Sequence, residues 1–336
     1  MNDVARRAGV GVGTVSRVVN HSSSVTPETR ARVEHAIDEL GFRRNEIARS
    51  LRPGQAPKTI GMVAGDLTNP FYATVVKGAI AAAARQGYAV VIAMADEDPE
   101  AERLAIRGLL ARGVAGLLLV PDKGDHGYMD QRGEGMGVPT VMVDRPASGV
   151  TRDVVLFDNE AAGRIATEHL LMHGHTRIGV LVAPSHYTTG WRLRGFRNAM
   201  RGAGQRVDDA LVLRLREGSS QSAEEGCRRL LARADAPSAL FTTTSFLTLG
   251  ALRAMRSVPV HPALVGFDDF PYAELLPTPI TVVAGDAEDL GWTAATRLLR
   301  RIEEHDLPVA RLMLPVTLRE RGSGEAAPSV DLATTR

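Results

Sequence analysis

The chain carries one cysteine, Cys227, in 336 residues. Without a second thiol it can form neither an intramolecular disulfide nor a cysteine metal cluster, and Cys227, placed on a helix, reads as a half-buried, inert thiol. Net charge is only +1, so no overall basic field announces a nucleic-acid partner. No apolar run reaches ~18 residues and the start lacks a secretory leader's apolar region, so neither a membrane span nor export is expected. A cytoplasmic protein is the simplest expectation. No short internal repeat occurs. Catalytic signatures are also missing. Ser185-His186 lies in a loop with no Gly-x-Ser-x-Gly elbow around it. Gly9, Gly11 and Gly13 precede a helix but follow no strand, so the dinucleotide fingerprint fails. His173-Gly174-His175 brackets a helix end, where capping is a simpler role than metal binding. No catalytic residue, cofactor or metal site is therefore expected, and the chain is not expected to be an enzyme.

What is present concentrates near the start. Asp3-Val4-Ala5-Arg6-Arg7-Ala8 can form a short helix with Val4, Ala5 and Ala8 on one face. Gly9 and Gly11 allow a sharp bend. A second helix over Val12 to Asn20 would turn Val15, Val18 and Val19 inward, leaving Thr14, Ser16 and Arg17 outward. Helix, glycine turn and second helix describe a helix-turn-helix, although the first hairpin of an ordinary globular domain would read the same way. Thr26-Pro27-Glu28 then opens a third helix, with Thr26 as N-cap and Pro27 at the first helical position. Its inner face reads Val33, Ala36, Ile37 and Leu40, and Gly41 sits where a C-terminal glycine belongs. The first 53 residues hold nine arginines against six acids, a local excess of +3 where phosphates would be met.

The matching pieces are Asp3-Val4-Ala5, Ala8-Gly9-Val10, Thr14 to Asn20, Val25-Thr26, Thr29-Arg30, Leu40-Gly41-Phe42, Asn45 and Ala48-Arg49-Ser50-Leu51. At these spacings the segment resembles the DNA-binding headpiece and hinge helix of the lactose-repressor (LacI/GalR) family of bacterial transcription regulators. The resemblance continues more loosely to about residue 321. It implies a homodimer on a near-palindromic double-stranded DNA operator. By resemblance, Val12 and Gly13 occupy the main base-reading positions, Thr14 and Ser16 hold backbone, and Arg17 meets a base edge or phosphate. Asn20, Asn45, Ala48 and Arg49 complete the DNA-contacting set. Leu51 is the lever inserted into the minor groove. Glycine has no side chain to read a base, so specificity would lean on Val12, Arg17 and DNA shape. An eight-residue hinge helix is marginal alone and should fold only when paired on DNA.

From Lys58 onward, strands alternate with helices, which implies right-handed crossovers and parallel sheets. Strands are expected at 59–64, 88–93, 116–120, 138–143, 178–183, 211–215, 239–242 and 263–267. Helices are expected at 70–86, 99–112, 160–173, 190–201, 222–234 and 246–255. The fold class expected is a small all-α helix-turn-helix headpiece plus an α/β periplasmic-binding-protein-like core of two doubly wound parallel-sheet subdomains. The expected boundaries are 1–44 for the headpiece, 45–57 for hinge and linker, and 58–321 for the core. Within the core, one subdomain takes about 58–157 plus 287–317 and the other about 158–286, leaving 322–336 as a disordered tail.

In open α/β sheets, ligands sit beyond the carboxyl ends of the strands. Asp66 to Tyr72, Asp144-Arg145, Phe157-Asp158-Asn159 and Gly266-Phe267-Asp268-Asp269 fall at such ends. Trp191-Arg192-Leu193-Arg194-Gly195 places Arg192 where the family's ligand-clamping arginine sits. The resemblance thus implies a small-molecule effector bound by Asn69, Phe71, Tyr72, Asp144, Arg192, Thr244 and Asp268. Carboxylates accept from vicinal hydroxyls and a guanidinium donates in a fixed plane, which suits a sugar or related polyhydroxylated ligand. Phe71 or Tyr72 can cover an apolar sugar face. The competing reading makes the aspartates helix caps or turn makers.

Departures from the family pattern are specific. Thr244-Ser245 replaces the usual Asn-Asp, and Ser219-Ser220-Gln221 lacks the stacking aromatic of several relatives. Gly11 replaces a capping serine, and Arg44 replaces a proline. Met1 falls close to the first helix, as expected where capping residues or the true start lie upstream. A protein co-effector in place of a small molecule, or a sugar-binding protein without DNA function, remain the alternatives.

Overall fold

Val4, Ala5 and Ala8 lie buried on one face of α1 (Asn2–Ala8), as their spacing dictates. The structure is a computed structural model of the chain. It describes residues 1–19, 22, 24–41, 58–95, 98–131, 137–184, 187–258 and 261–328. The hinge assigned to 45–57 lies outside them. The chain divides into two compact units, Met1–Pro57 and Lys58–Arg336.

In the first unit, Gly9 ends α1 at φ 63, a left-handed conformation that a side chain would disfavour. Helix α2 (Val12–Val19) buries Val15 and Val18. Helix α3 (Pro27–Glu39) starts with Thr26 accepting from the Thr29 N–H at 3.4 Å and buries Val33 and Ala36. Leu40 departs from the expected inner face and is 45% exposed. It is the C-cap, beyond the last helical residue, and Gly41 at φ 57 turns the chain there.

The second unit holds two six-stranded sheets. The first is built from β1 (Thr59–Ala64), β2 (Ala89–Met94), β3 (Leu117–Leu119), β4 (Thr140–Val143), β5 (Asp153–Phe157) and β11 (Arg311–Leu314). Its order is β11-β5-β4-β3-β1-β2. The second is built from β6 (Ile178–Val182), β7 (Val212–Arg214), β8 (Ala239–Thr242), β9 (Ala263–Phe267), β10 (Thr281–Ala284) and β12 (Thr317–Arg319). Its order, β12-β10-β9-β8-β6-β7, repeats the first strand for strand. All pairings are parallel except β10 with β12. Burial explains the strand composition. Ile60, Met62, Val63, Leu117, Leu118 and Leu119 are each at most 1% exposed, as expected for parallel strands covered on both faces.

Helices α4 (Pro70–Arg85) and α5 (Pro99–Ala111) follow β1 and β2. In the second half come α6 (Asn159–Met172), α7 (Tyr187–Gly202), α8 (Ser220–Leu231) and α9 (Ser245–Met255), and α10 (Ala287–Glu303) then packs on α4. The chain therefore crosses between the halves after Phe157, after Ala284 and after Leu314. Two helix pairs meet backbone to backbone through glycine. A Cβ on Gly291 would lie 1.8 Å from the Val75 carbonyl oxygen, and one on Gly195 would lie 2.0 Å from that of Glu160.

Two expectations need correction. Cys227 is fully buried, not half-buried, and burial pushes its thiol up to about 12. The segment 322–328 is packed, not disordered. Ser323 donates its hydroxyl to the Leu264 carbonyl at 2.6 Å, and the Ala326 carbonyl lies 2.7 Å from His175 Nε2. Polar, small-residue composition suggests disorder only when the backbone has no partners, and here the second sheet supplies them.

Candidate nucleic-acid interface and ligand cleft

The outward face of α2 carries the positions named from sequence. Gly11, Val12, Gly13 and Arg17 are exposed, and Thr14 and Ser16 are half-buried. Val12 is 44% exposed, an apolar side chain left in water at the start of the helix. Gly11 caps α2 through its carbonyl, which accepts from Thr14 at 2.9 Å and Val15 at 3.2 Å. A Cβ on Gly11 would meet nothing within 4 Å. Asn20, Asn45, Ala48, Arg49 and Leu51 lie outside the described residues.

The seven ligand positions named from sequence all line one cleft of about 740 Å³. Asn69 caps α4, its Oδ1 accepting from the Phe71 N–H at 3.1 Å, which sets Phe71 and Tyr72 on the first turn. Phe71 is buried against Phe157, ring centroids 6.2 Å apart, and stands edge-on to Tyr72 at 5.0 Å. Thr244 caps α9, accepting from the Leu247 N–H. Capping and lining are thus combined in Asn69 and Thr244.

Asp144 and Asp268 occupy equivalent places at the ends of β4 and β9. They are the described non-glycine residues with positive φ, 71 and 64. Each backbone N–H donates to the neighbouring strand, Asp144 to Val155 at 2.8 Å and Asp268 to Val283 at 3.1 Å. The strand ladder therefore fixes a strained backbone that aims each carboxylate away from the sheet. Tyr72 donates to Asp144 at 3.5 Å, and Arg145 Nη1 lies 3.6 Å from it. The Asp268 carboxylate accepts no hydrogen bond from any described residue, although it is 9% exposed. Burial pushes its pKa up to about 7, with Arg192 opposing and Asp144 and Asp269 adding to the rise. Neither aspartate is a helix cap.

Arg192 is 4% exposed. Its Nε donates to Asn159 Oδ1 at 2.8 Å, its Nη1 donates to the Thr243 carbonyl at 2.7 Å, and the guanidinium lies 3.4 Å above the Phe267 ring centroid. Burial lowers its pKa from the ordinary arginine value while Asp268 and Asp144 oppose that shift. Its Nη2 has no hydrogen-bond partner among the described residues and is available to a ligand. A donor and a carboxylate that no described residue engages, in a preset geometry, can bind vicinal hydroxyls without first breaking internal bonds.

The structure adds lining residues that the sequence reading missed, chiefly Arg145, Thr188, Thr189, Phe246 and Glu217. Thr188 and Thr189 precede Arg192 by one helical turn, a spacing that could have flagged them. Phe246 supplies an aromatic wall from the first turn of α9, in a cleft whose Ser219 and Ser220 offer none. His173 and His175 are structural. His173 caps α6, with its Nδ1 2.9 Å from the His169 carbonyl, and His175 lies 3.0 Å from the Ser238 hydroxyl. Ser185 and His186 lie outside the described residues.

Residues 1–45 match the model described as bacterial regulatory proteins, lacI family, and residues 167–324 match that of a periplasmic binding protein-like domain. The ribose operon repressor of Escherichia coli is 33% identical over 328 residues, 96% of this chain and 99% of its own. The HTH-type transcriptional regulator CelR of Thermobifida fusca is 37% identical over 335 residues, 96% of this chain and 97% of its own. Among solved structures, the lac repressor dimer bound to operator and the anti-inducer ONPF superposes with a TM-score of 0.84 at 28% identity, covering 96% of this chain and 98% of that one. These relatives are transcriptional regulators. No described helix is long and apolar enough to cross a membrane.

Proposed function

The chain belongs to the LacI family of bacterial regulatory proteins and is a DNA-binding transcriptional regulator, and we propose that it is a repressor released or engaged by a small polyhydroxylated effector in the 740 Å³ cleft. The observation that carries the effector reading is Asp268, a buried carboxylate with no hydrogen-bond partner among the described residues, set beside the free Nη2 of Arg192. Leaving a buried carboxylate unbonded is costly, and a ligand hydroxyl removes that cost. Relatives named for ribose, and a CelR structure in complex with cellobiose, support a sugar. The reading assigns no catalytic residue and no enzyme activity, and it places the protein with the chromosome in the cytoplasm.

DNA recognition falls to α2. Val12 meets a thymine methyl, Arg17 a base edge or phosphate, and Thr14 and Ser16 the backbone. Two copies present two such helices to a near-palindromic operator. The exposed Val91, Ile92 and Met94 on edge strand β2 offer an apolar surface for pairing. Asn45, Ala48, Arg49 and Leu51 are assigned to the paired hinge by resemblance. Effector and operator then change each other's affinity by the same factor.

The test is genome-wide DNA capture with purified protein, repeated with and without a panel of sugars and nucleosides. Enrichment of one short inverted repeat, shifted by one compound, is the expected result. Operator binding that no compound shifts, but that an added cell protein does, would replace the small effector with a protein co-effector.

A further inference from the structure

At the opposite end of α6 from the cleft, three side chains of ligand type meet. His169 Nε2 lies 2.8 Å from Glu325 Oε1. Ligand atoms of His169, Glu320 and Glu325 all fall within 4.8 Å of one another. His169 is 1% exposed, so its position is set by packing. Glu325 is oriented by its surroundings. Thr281 donates to it at 2.9 Å, and the backbone N–H groups of Gly322 and Gly324 donate to its Oε2 at 2.6 and 3.1 Å. Oε1, which the Thr281 hydroxyl also reaches at 2.9 Å, faces His169, the kind of support that outer hydrogen bonds give to metal-binding carboxylates.

Two further observations separate this cluster from a plain ion pair. Glu320 is exposed and bonds to no described residue, so its carboxylate is uncommitted. Gly324 faces the imidazole, and a Cβ there would lie 3.1 Å from His169 Nε2 and 2.8 Å from Val265. Glycine at that point keeps the space over the ring nitrogen open. His169 itself lies in the last turn of α6, where the negative end of the helix dipole favours a cation.

We propose that His169, Glu320 and Glu325 bind one zinc-class divalent ion, which fastens the segment 320–325 to the end of α6. One imidazole and two carboxylates suit zinc better than magnesium, which keeps oxygen ligands and water. Zinc bonds of about 2.0–2.2 Å place tetrahedral ligand atoms roughly 3.4 Å apart, so the flexible Glu320 closes in by a rotamer change while Glu325 Oε1 backs away from its 2.8 Å contact with His169 Nε2. On binding, the metal replaces the proton that Nε2 donates to Glu325. The ligated imidazole carries one proton, on Nδ1, and any second proton leaves to solvent. His169 and Glu325 are then joined through the ion instead of the hydrogen bond. A water completes the fourth position.

The test uses the full chain. Zinc is titrated by calorimetry into metal-stripped protein, with magnesium as comparator, and cobalt substitution reports coordination by its visible spectrum. The expected result is one saturable zinc site per chain, a zinc-dependent rise in Tm, and little response to magnesium. Glu320→Gln, a surface change that leaves folding intact, should weaken zinc by at least about tenfold. His173→Gln, beside the site but outside it, should leave affinity unchanged. Absence of a saturable site in the wild type, or equal affinity in Glu320→Gln, overturns the proposal. So does loss of the site in His173→Gln with Glu320→Gln unaffected.

Discussion

Asp268 combines a positive φ, near-complete burial and a carboxylate with no hydrogen-bond partner among the described residues. Its folded pKa, pushed up to about 7 by burial, lies above the unfolded carboxylate value. The folded chain therefore binds this proton more tightly than the unfolded one. The stability it contributes is complete below the ordinary carboxylate range and is lost as pH rises through about 7. An effector hydroxyl donating to the ionised form pulls the pKa back down. Binding near neutral pH should then release up to roughly half a proton, seen as a dependence of calorimetric enthalpy on buffer ionisation heat. Asp268→Asn should abolish that dependence and weaken the effector by roughly tenfold or more. A variant that binds normally with the same proton release would remove Asp268 from the site.

At the scale of elements, the cleft depends on a helix contact that has no room for a side chain. Gly195 in α7 meets the Glu160 carbonyl of α6, and Gly163 in α6 meets the Arg192 carbonyl. The same pair of helices carries Asn159 and Arg192, joined at 2.8 Å. Gly195→Ala must separate the helices, since its Cβ would stand 2.0 Å from backbone oxygen. Overpacking of this kind costs about 1–3 kcal/mol. The expected outcome is a lower denaturation midpoint together with weaker effector binding, because Arg192 moves with its helix. Weaker stability with untouched affinity would show that Arg192 is positioned independently of the crossing.

For the molecule as a whole, regulation by this reading requires two chains on one operator. Edge strand β2 leaves Ile92 37% and Met94 44% exposed, and an unpaired apolar edge is a liability in a lone chain. Ile92→Lys should give a monomer in sedimentation while keeping the circular dichroism of the wild type. Its operator affinity should fall by at least about 100-fold, since paired binding multiplies the contribution of each headpiece. A dimer of unchanged affinity would move the interface elsewhere.

The sequence by itself determined most of the local structure. Glycine turns, an N-cap with proline behind it and apolar periodicity located the three headpiece helices. Strand runs bounded by turns located β1, β8 and β9 to the residue. It also named seven residues that share one cleft, because strand ends and family spacing mark positions that chain geometry must bring together. It did not contain what depends on distant partners. The packing of 322–328 came from hydrogen bonds to the second sheet, and Leu40 turned outward as a helix ended. Phe246 became a cleft wall only when α9 was capped at Thr244. Local propensity is written in neighbouring residues. Burial, free valences on Asp268 and Arg192, and the meeting of His169 with Glu325 across 156 positions exist only after the chain has folded, when tertiary contacts choose which polar groups are satisfied and which are left for a ligand.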